Sequence, residues 1–195
     1  LVGTTISFSS TPNWSGSETF TVTVADDELS DSQSFDVTVN AVNDAPVANV
    51  ESAETDEDQT VTVFLSAEDI DGDELTFALV TDAENGSVSI NGAIATYIPD
   101  ANYFGSDSFT FNASDDEYSS NADVTITITP LNDAPELATI ADVEFDEDGG
   151  SDIVVFASDV DGDGLSYSVL GGENISWGLV GTTISFSSTP NWSGS

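Results

Sequence analysis

Three groups of carboxylates recur along this chain in the same order, and they are the residues best equipped for chemistry. Asp56-Glu57-Asp58 returns as Asp146-Glu147-Asp148. Asp69-Ile70-Asp71-Gly72-Asp73 returns as Asp159-Val160-Asp161-Gly162-Asp163, and Asp26-Asp27-Glu28 returns as Asp115-Asp116-Glu117. An all-oxygen donor set suits a hard cation, and calcium takes about 6–8 oxygens from carboxylates and carbonyls. Nothing covalent to the chain can neutralise these groups: it has no Lys, Arg or His against 37 Asp and Glu, a net charge of −37. Converging carboxylates without basic partners repel unless a cation sits among them. A solvated acidic rim would account for each cluster singly. Bound calcium also accounts for their recurrence in register while the sequence between them drifts. The Asp-x-Asp-Gly-Asp run is not an EF-hand, because the twelve-residue ligand spacing and flanking helical patterns are missing.

The same composition removes several kinds of activity. Without Lys or Arg there is no electrostatic footprint for nucleic acid or for an anionic membrane surface. Without His, Cys or Lys the usual general bases, activated nucleophiles and Schiff-base chemistry are missing. Disulfides, thiol redox chemistry and soft-metal sites need the cysteines and methionines that the chain lacks. A pair of carboxylates can hydrolyse a glycoside, but acids tied to loops repeated in every copy do not describe one cleft, and no enzyme is expected.

These acids must be positioned by strands. Phe20, Val22 and Val24 alternate with Thr, as Phe35, Val37 and Val39 alternate with Asp and Thr. The pattern continues in Val61/Val63/Leu65, Leu75/Phe77/Leu79, Phe109/Phe111/Ala113 and Val124/Ile126/Ile128. A period of two with one apolar face is the mark of half-buried antiparallel strands. Asp-Gly at 71–72 and Asn-Gly at 85–86 and 91–92 supply turns between them. No stretch has helical spacing, and none approaches the apolar length of a membrane span. With 38 % apolar residues regularly placed, the chain is not a disordered acidic tail. The expectation is an all-β chain of tandem Ig-like β-sandwich modules, with the acidic clusters in loops at the ends of the sandwiches.

Repetition sets the organisation. Asn-Asp-Ala-Pro falls at 43–46 and again at 132–135, 89 positions apart, while residues 179–195 repeat residues 1–17 letter for letter at 178, twice that spacing. Two diverged module types therefore alternate, each of about 89 residues. Pro46 and Pro135 each follow a polar turn and open a new strand. Residues 45–134 then read as a complete module, 1–44 as the C-terminal half of one, and 135–195 as the N-terminal part of the next. The expected partners are neighbouring modules of the same protein, head to tail, and other copies in a filament.

The succession of Asp-Glu-Asp, then Ala-x-Asp-x-Asp-Gly-Asp-x-Leu, then Tyr-x-Pro-x-x-Asn-Tyr-x-Gly-x-Asp-Ser-Phe-Thr-Phe, then Ala-Ser-Asp and a closing Asn-Asp-Ala-Pro resembles the bacterial cadherin-like repeats of giant surface adhesins. The likeness runs the length of the chain. It implies cadherin-like sandwiches with Ca2+ bound at the junctions between consecutive modules. On that likeness Asp69 and Asp71, and Asp159 and Asp161, correspond to the family's Asp-x-Asp pair. Asp115 and Asp26 take the place of the later loop ligand. Asn43 and Asp44, like Asn132 and Asp133, fall in the linker, and Glu57 and Glu147 match the glutamate of the base loop. Asp100 and Asn102 stand where the family has Asp-x-Glu. The linker departs from the animal pattern, with Ala41 and Pro130 for the first Asp and Ala45 and Ala134 for the last Asn, which points to one or two ions per junction. The resemblance implies an extracellular, calcium-rigidified stalk or spacer. A carbohydrate-binding module is the alternative, through Trp14, its copy Trp192, and Trp177.

Overall fold

The structure is a computed structural model that describes residues 4–188. Trp192 and the end of the repeated segment lie outside the described residues. Every regular element among the described residues is a strand, and the chain divides into two compact units, residues 1–130 and 131–195.

The first unit opens with a hairpin of β1 (Gly16–Ala25) and β2 (Ser30–Val39), paired without interruption from Gly16↔Val39 to Ala25↔Ser30. Then come β3 (Val47–Ala48), β4 (Glu51–Asp56), β5 (Val61–Phe64), β6 (Ala67–Glu68), β7 (Thr76–Thr81), β8 (Gly86–Asn91), β9 (Ile94–Pro99), β10 (Gly105–Ser114) and β11 (Ser119–Thr129). They form a β-sandwich. One sheet has the order β4-β11-β10-β7, the other β5-β9-β8, and β3 and β6 make a short separate pair. Strand β4 runs parallel to β11, with Glu51 opposite Val124 and Asp56 opposite Thr129.

In the sandwich the period-two segments place their apolar sides in the core as the alternation predicts, whereas Phe20, Val22, Val24 and Phe35 of the β1–β2 hairpin stay exposed. Phe109, Phe111, Val124 and Ile126 from one sheet pack with Val63, Ala95 and Tyr97 from the other and with Leu65 just after β5, all buried. Each such side chain contributes about 1.5–3 kcal/mol of transfer free energy. The opposite sides carry hydroxyl and carboxylate pairs that close across neighbouring strands, such as Thr110 Oγ1 to Asp123 Oδ1 at 2.7 Å and Thr21 with Ser34 at 2.7 Å.

Within the β5-β9-β8 sheet, β8 and β9 approach tightly at Gly86. A Cβ there would lie 2.6 Å from the Ile98 carbonyl oxygen and 2.6 Å from the Tyr97 ring. Gly86→Ala is therefore expected to cost about 1–3 kcal/mol, read as a lower urea midpoint. An unchanged midpoint would show that β8 and β9 part without penalty.

The second unit contains β12 (Glu136–Leu137), β13 (Gly150–Val154), β14 (Ala157–Ser158), β15 (Ile175–Val180) and β16 (Thr183–Ser188). Its sheets are β13-β16-β15 and β12-β14, which repeat β5-β9-β8 and β3-β6 of the sandwich. The sequence counterparts of β4 and β7, residues 141–146 and 166–171, form no ladder. Among the described residues of this unit, Val155 and Ile184 are the buried apolar side chains, while Trp177 stays 40 % exposed.

Candidate cation site

The loop after β6 is built by one carboxylate. Asp69 Oδ1 accepts from the amides of Asp71 (2.9 Å), Gly72 (2.9 Å) and Asp73 (3.2 Å), an Asx-type turn. Gly72 sits at φ +81°, a backbone region where only glycine is unstrained. With Oδ1 so engaged, Asp69 Oδ2 is left buried and makes no hydrogen bond. A buried, unsatisfied carboxylate oxygen is costly unless a partner is supplied. Asp69, Asp71 and Asp73 each present one oxygen within 4.8 Å of the others. The donor chemistry and the orphaned oxygen both fit a hard cation.

Other expected ligands converge on the same end of the sandwich. The Asp44 amide donates to Asp71 Oδ2 at 2.7 Å, and Asn43 Nδ2 donates to Asp115 Oδ2 at 2.9 Å. Asp115 Oδ1 accepts from the Tyr118 amide at 2.6 Å and the Glu117 amide at 2.8 Å. The Tyr118 amide foremost, against some desolvation, and then Asn43 hold this carboxyl below its ordinary range. Asn43, Asp44, Asp69, Asp71 and Asp115 thus lie together, and Asp73 joins them.

The second unit repeats part of this arrangement. Asp159 Oδ1 accepts from the amides of Asp161 (3.1 Å) and Asp163 (3.2 Å), and the Asp133 amide donates to Asp161 Oδ2 at 2.7 Å. Asn132 differs from Asn43: its Nδ2 donates to the Asp133 carbonyl at 2.8 Å. The counterpart of Asp115 is Asp26, at the tip of the β1–β2 hairpin. There its Oδ1 accepts from Glu28 N (2.9 Å) and Leu29 N (2.7 Å), and the Glu28 amide foremost lowers its pKa. Ten paired positions separate Asp26 from the linker that follows β2, so Asp26 is not gathered with Asn43 and Asp44.

Three expected ligands lie at the other end of the sandwich. Glu57 is buried, and its amide donates to the Thr129 carbonyl at 2.9 Å. The Asn102 amide reaches Asp58 Oδ1 at 3.1 Å, and the Asp100 amide reaches the Asn85 carbonyl at 2.9 Å. Glu147, the copy of Glu57, is exposed. Trp14 packs at a corner: its ring lies 3.0 Å from where a Cβ on Gly16 would be, as Tyr103 approaches Gly105 at 3.2 Å. Trp177 Nε1 donates to the Gly171 carbonyl at 2.8 Å.

Sequence reasoning passed over Asp107. This buried carboxylate accepts from Tyr97 Oη (2.9 Å) and from the amides of Asn85 (2.9 Å), Glu84 (3.1 Å) and Ser108 (2.8 Å). Burial pushes its pKa up, but the donors outweigh burial and the net displacement is downward. Burial foremost, then Asp107, raises the Tyr97 hydroxyl well above its ordinary range. The signal available in the sequence was an acid placed among core aromatics in Gly-x-Asp-Ser-Phe-Thr-Phe.

With this geometry the chain is an array of Ig-like and cadherin-like β-sandwich elements. The family described as bacterial Ig domain matches residues 43–129. Among solved structures, protocadherin gamma B7 extracellular cadherin domains 1–4 are 19 % identical (TM-score 0.51) over 88 % of this chain and 48 % of that one. The EC3–6 cis-dimer structure of protocadherin gammaB7 is 20 % identical (TM-score 0.50) over 91 % of this chain and 52 % of that one. An endo-fucoidan hydrolase from glycoside hydrolase family 107 is 18 % identical (TM-score 0.39) over 90 % of this chain and 30 % of that one. The chain therefore spans between about a third and a half of these structures. No curated protein matches it.

Proposed function

We propose that this chain is a segment of an extracellular repeat array that calcium stiffens, acting as the stalk or spacer of a surface adhesin. Residues 45–134 are one whole module in this reading, with 1–44 and 135–195 as parts of its neighbours. The observation that carries it is the buried Asp69 Oδ2, without a hydrogen bond, among Asp71 and Asp73 and beside the linker residue Asp44, which is tied to Asp71. In a chain without Lys, Arg or His, a cation from the medium is the partner available to that oxygen. When bound, calcium would supply charge neutralisation and a fixed coordination shell. Asp69, Asp71 and Asp115, with Asn43 and Asp44, would hold it between the loop and the linker, and Asn132, Asp133, Asp159 and Asp161 would do so in the second unit. Glu57, Asp100 and Asn102 are proposed as calcium ligands at the other end of the sandwich, and Asp26 and Glu147 as ligands in neighbouring modules. Extracellular calcium modules work at dissociation constants of about 10⁻⁴–10⁻³ M, the range proposed for these sites.

Asp69→Asn tests the assignment because the amide oxygen can still accept the loop amides while the charge is lost. Calorimetric titration should show calcium affinity at this site reduced by about tenfold or more, with the calcium-free melt no lower than the parent's. Equal affinity in the variant would sink the reading. X-ray scattering from the parent chain should show a longer maximum dimension in calcium than in chelator, and identical profiles would remove the stiffening role.

A further inference from the structure

Asn-Gly occurs twice in the chain, at 85–86 and 91–92, at the two ends of β8. Asparagine is a chemically labile side chain, and a following glycine leaves its carboxamide open to attack. Without a Cβ, the glycine nitrogen approaches the side-chain carbon freely and the backbone turns with little resistance. Local sequence does not separate the two pairs, but the sandwich does.

Asn91-Gly92 stands at the tip of the β8–β9 hairpin. Asn91 pairs with Ile94 at the last rung, which leaves Gly92 and Ala93 as a two-residue loop. Asn91 and Gly92 are both exposed, Gly92 sits at φ +59°, and nothing would lie within 4 Å of a Cβ placed on it. The Ala93 carbonyl accepts from the Leu65 amide at 2.9 Å, but that tie lies beyond the peptide bond that has to turn. A hairpin tip of this kind opens locally at little cost.

Asn85-Gly86 is held on every side. The half-buried Asn85 donates its amide to Asp107 Oδ2 at 2.9 Å. Its carbonyl accepts from the Asp100 amide at 2.9 Å and from Tyr97 Oη at 3.2 Å. Gly86 is pressed against the Tyr97 ring and the Ile98 carbonyl, with no room for a methyl group. Turning this peptide bond breaks those hydrogen bonds and meets packed atoms, so it requires a larger opening of the sandwich.

We infer that Asn91 is a site of spontaneous deamidation through a cyclic imide, and that the fold protects Asn85 from the same reaction. The Gly92 nitrogen attacks Asn91 Cγ and forms the new carbon–nitrogen bond. The bond from Cγ to the side-chain nitrogen breaks, and that nitrogen takes up the Gly92 amide proton and leaves as ammonia. Water then adds to either imide carbonyl and opens the ring, giving aspartate or isoaspartate. Both products add a carboxylate to a chain with no Lys, Arg or His to offset it. Isoaspartate also routes the main chain through the former side-chain carbon, which lengthens the backbone at the Asn91↔Ile94 rung. The second unit has a loop of matching shape between β15 and β16, with Gly181 at φ +61°, but Val180 precedes it and offers no carboxamide. The modification therefore falls on one of these two turns and spares the other. It concerns a hairpin tip and stands apart from the cation reading.

The whole chain, held folded in calcium at mildly alkaline pH, tests this. Samples taken over time are digested with pepsin at acid pH and read by peptide mass spectrometry, with enzymatic methyl labelling to mark isoaspartate. Asn91 should be lost at least about tenfold faster than Asn85, with isoaspartate among the products. In urea that unfolds the chain, the two sites should react at similar rates. A folded chain whose Asn91 stays intact while the unfolded chain reacts would overturn the inference. So would loss of Asn85 as fast as Asn91 in the folded chain, or an Asn91 preference that persists undiminished in urea.

Discussion

Moving the chain from chelator to about 10 mM calcium is expected to raise its unfolding midpoint by more than about 10 °C. A site with a dissociation constant near 10⁻⁴ M, saturated about 100-fold, stabilises the folded form by about 2.7 kcal/mol if the unfolded chain does not bind. A domain of this size shifts by about 4–8 °C for each kcal/mol. The net charge of −37 adds a general benefit from any cation, so the control is sodium chloride at matched ionic strength. Screening alone would give equal shifts. Magnesium, smaller and reluctant to dehydrate, should do less than calcium at the same concentration. A midpoint that responds to sodium and calcium alike would leave the Asp69–Asp71–Asp73 loop without its ion.

Asp107→Ala is expected to be as damaging as truncating a core aromatic of the sandwich, costing about 3–5 kcal/mol. It strands the Tyr97 hydroxyl and the Glu84 and Asn85 amides, all aimed at one buried carboxylate. Glu18 occupies the same place in the first hairpin but is exposed, and Glu18→Ala should cost less than about 0.5 kcal/mol. The pH dependence has a fixed sign. The Asp107 pKa is lower folded than unfolded, so its contribution is present above the ordinary carboxylate pKa near 3.9. It is lost as the pH falls through the folded value. The gap in melting temperature between wild type and Asp107→Asn should therefore be full at neutral pH and shrink on acidification below about pH 4. A gap independent of pH would mean that the site does not hold a carboxylate.

The strands were legible because a period of two has one physical reading when one face is buried. The segments around Phe109 and Val124 lie in β10 and β11, and those around Phe20 and Phe35 in β1 and β2. The Asp-x-Asp-Gly-Asp loop was equally legible, since a short acid followed by glycine writes its own turn. Burial was harder to see. Glu57 and Glu147 have the same local sequence, yet one is enclosed and the other exposed. The enclosure of Glu57 depends on β11, whose Thr129 carbonyl receives the Glu57 amide from far along the chain. Asp107 was missed for a related reason. Its role depends on Tyr97 and Asn85, brought near by pairing β8 with β9 and packing the sheets, and neither event is written in its own neighbours.

The parallel pairing of β4 with β11 has a consequence for a sandwich held by its two ends. The chain enters this pair at Glu51 and leaves it at Thr129, at opposite ends of six matched positions from Glu51↔Val124 to Asp56↔Thr129. Tension drawn through those ends slides the two strands past each other lengthwise, so the rungs of the ladder bear the load together and yield together. Had the strands run antiparallel with both ends at one edge, the same pull would open them one rung at a time, as a zipper does. The topology sets the sandwich in shear, the direction in which a ladder of hydrogen bonds resists most.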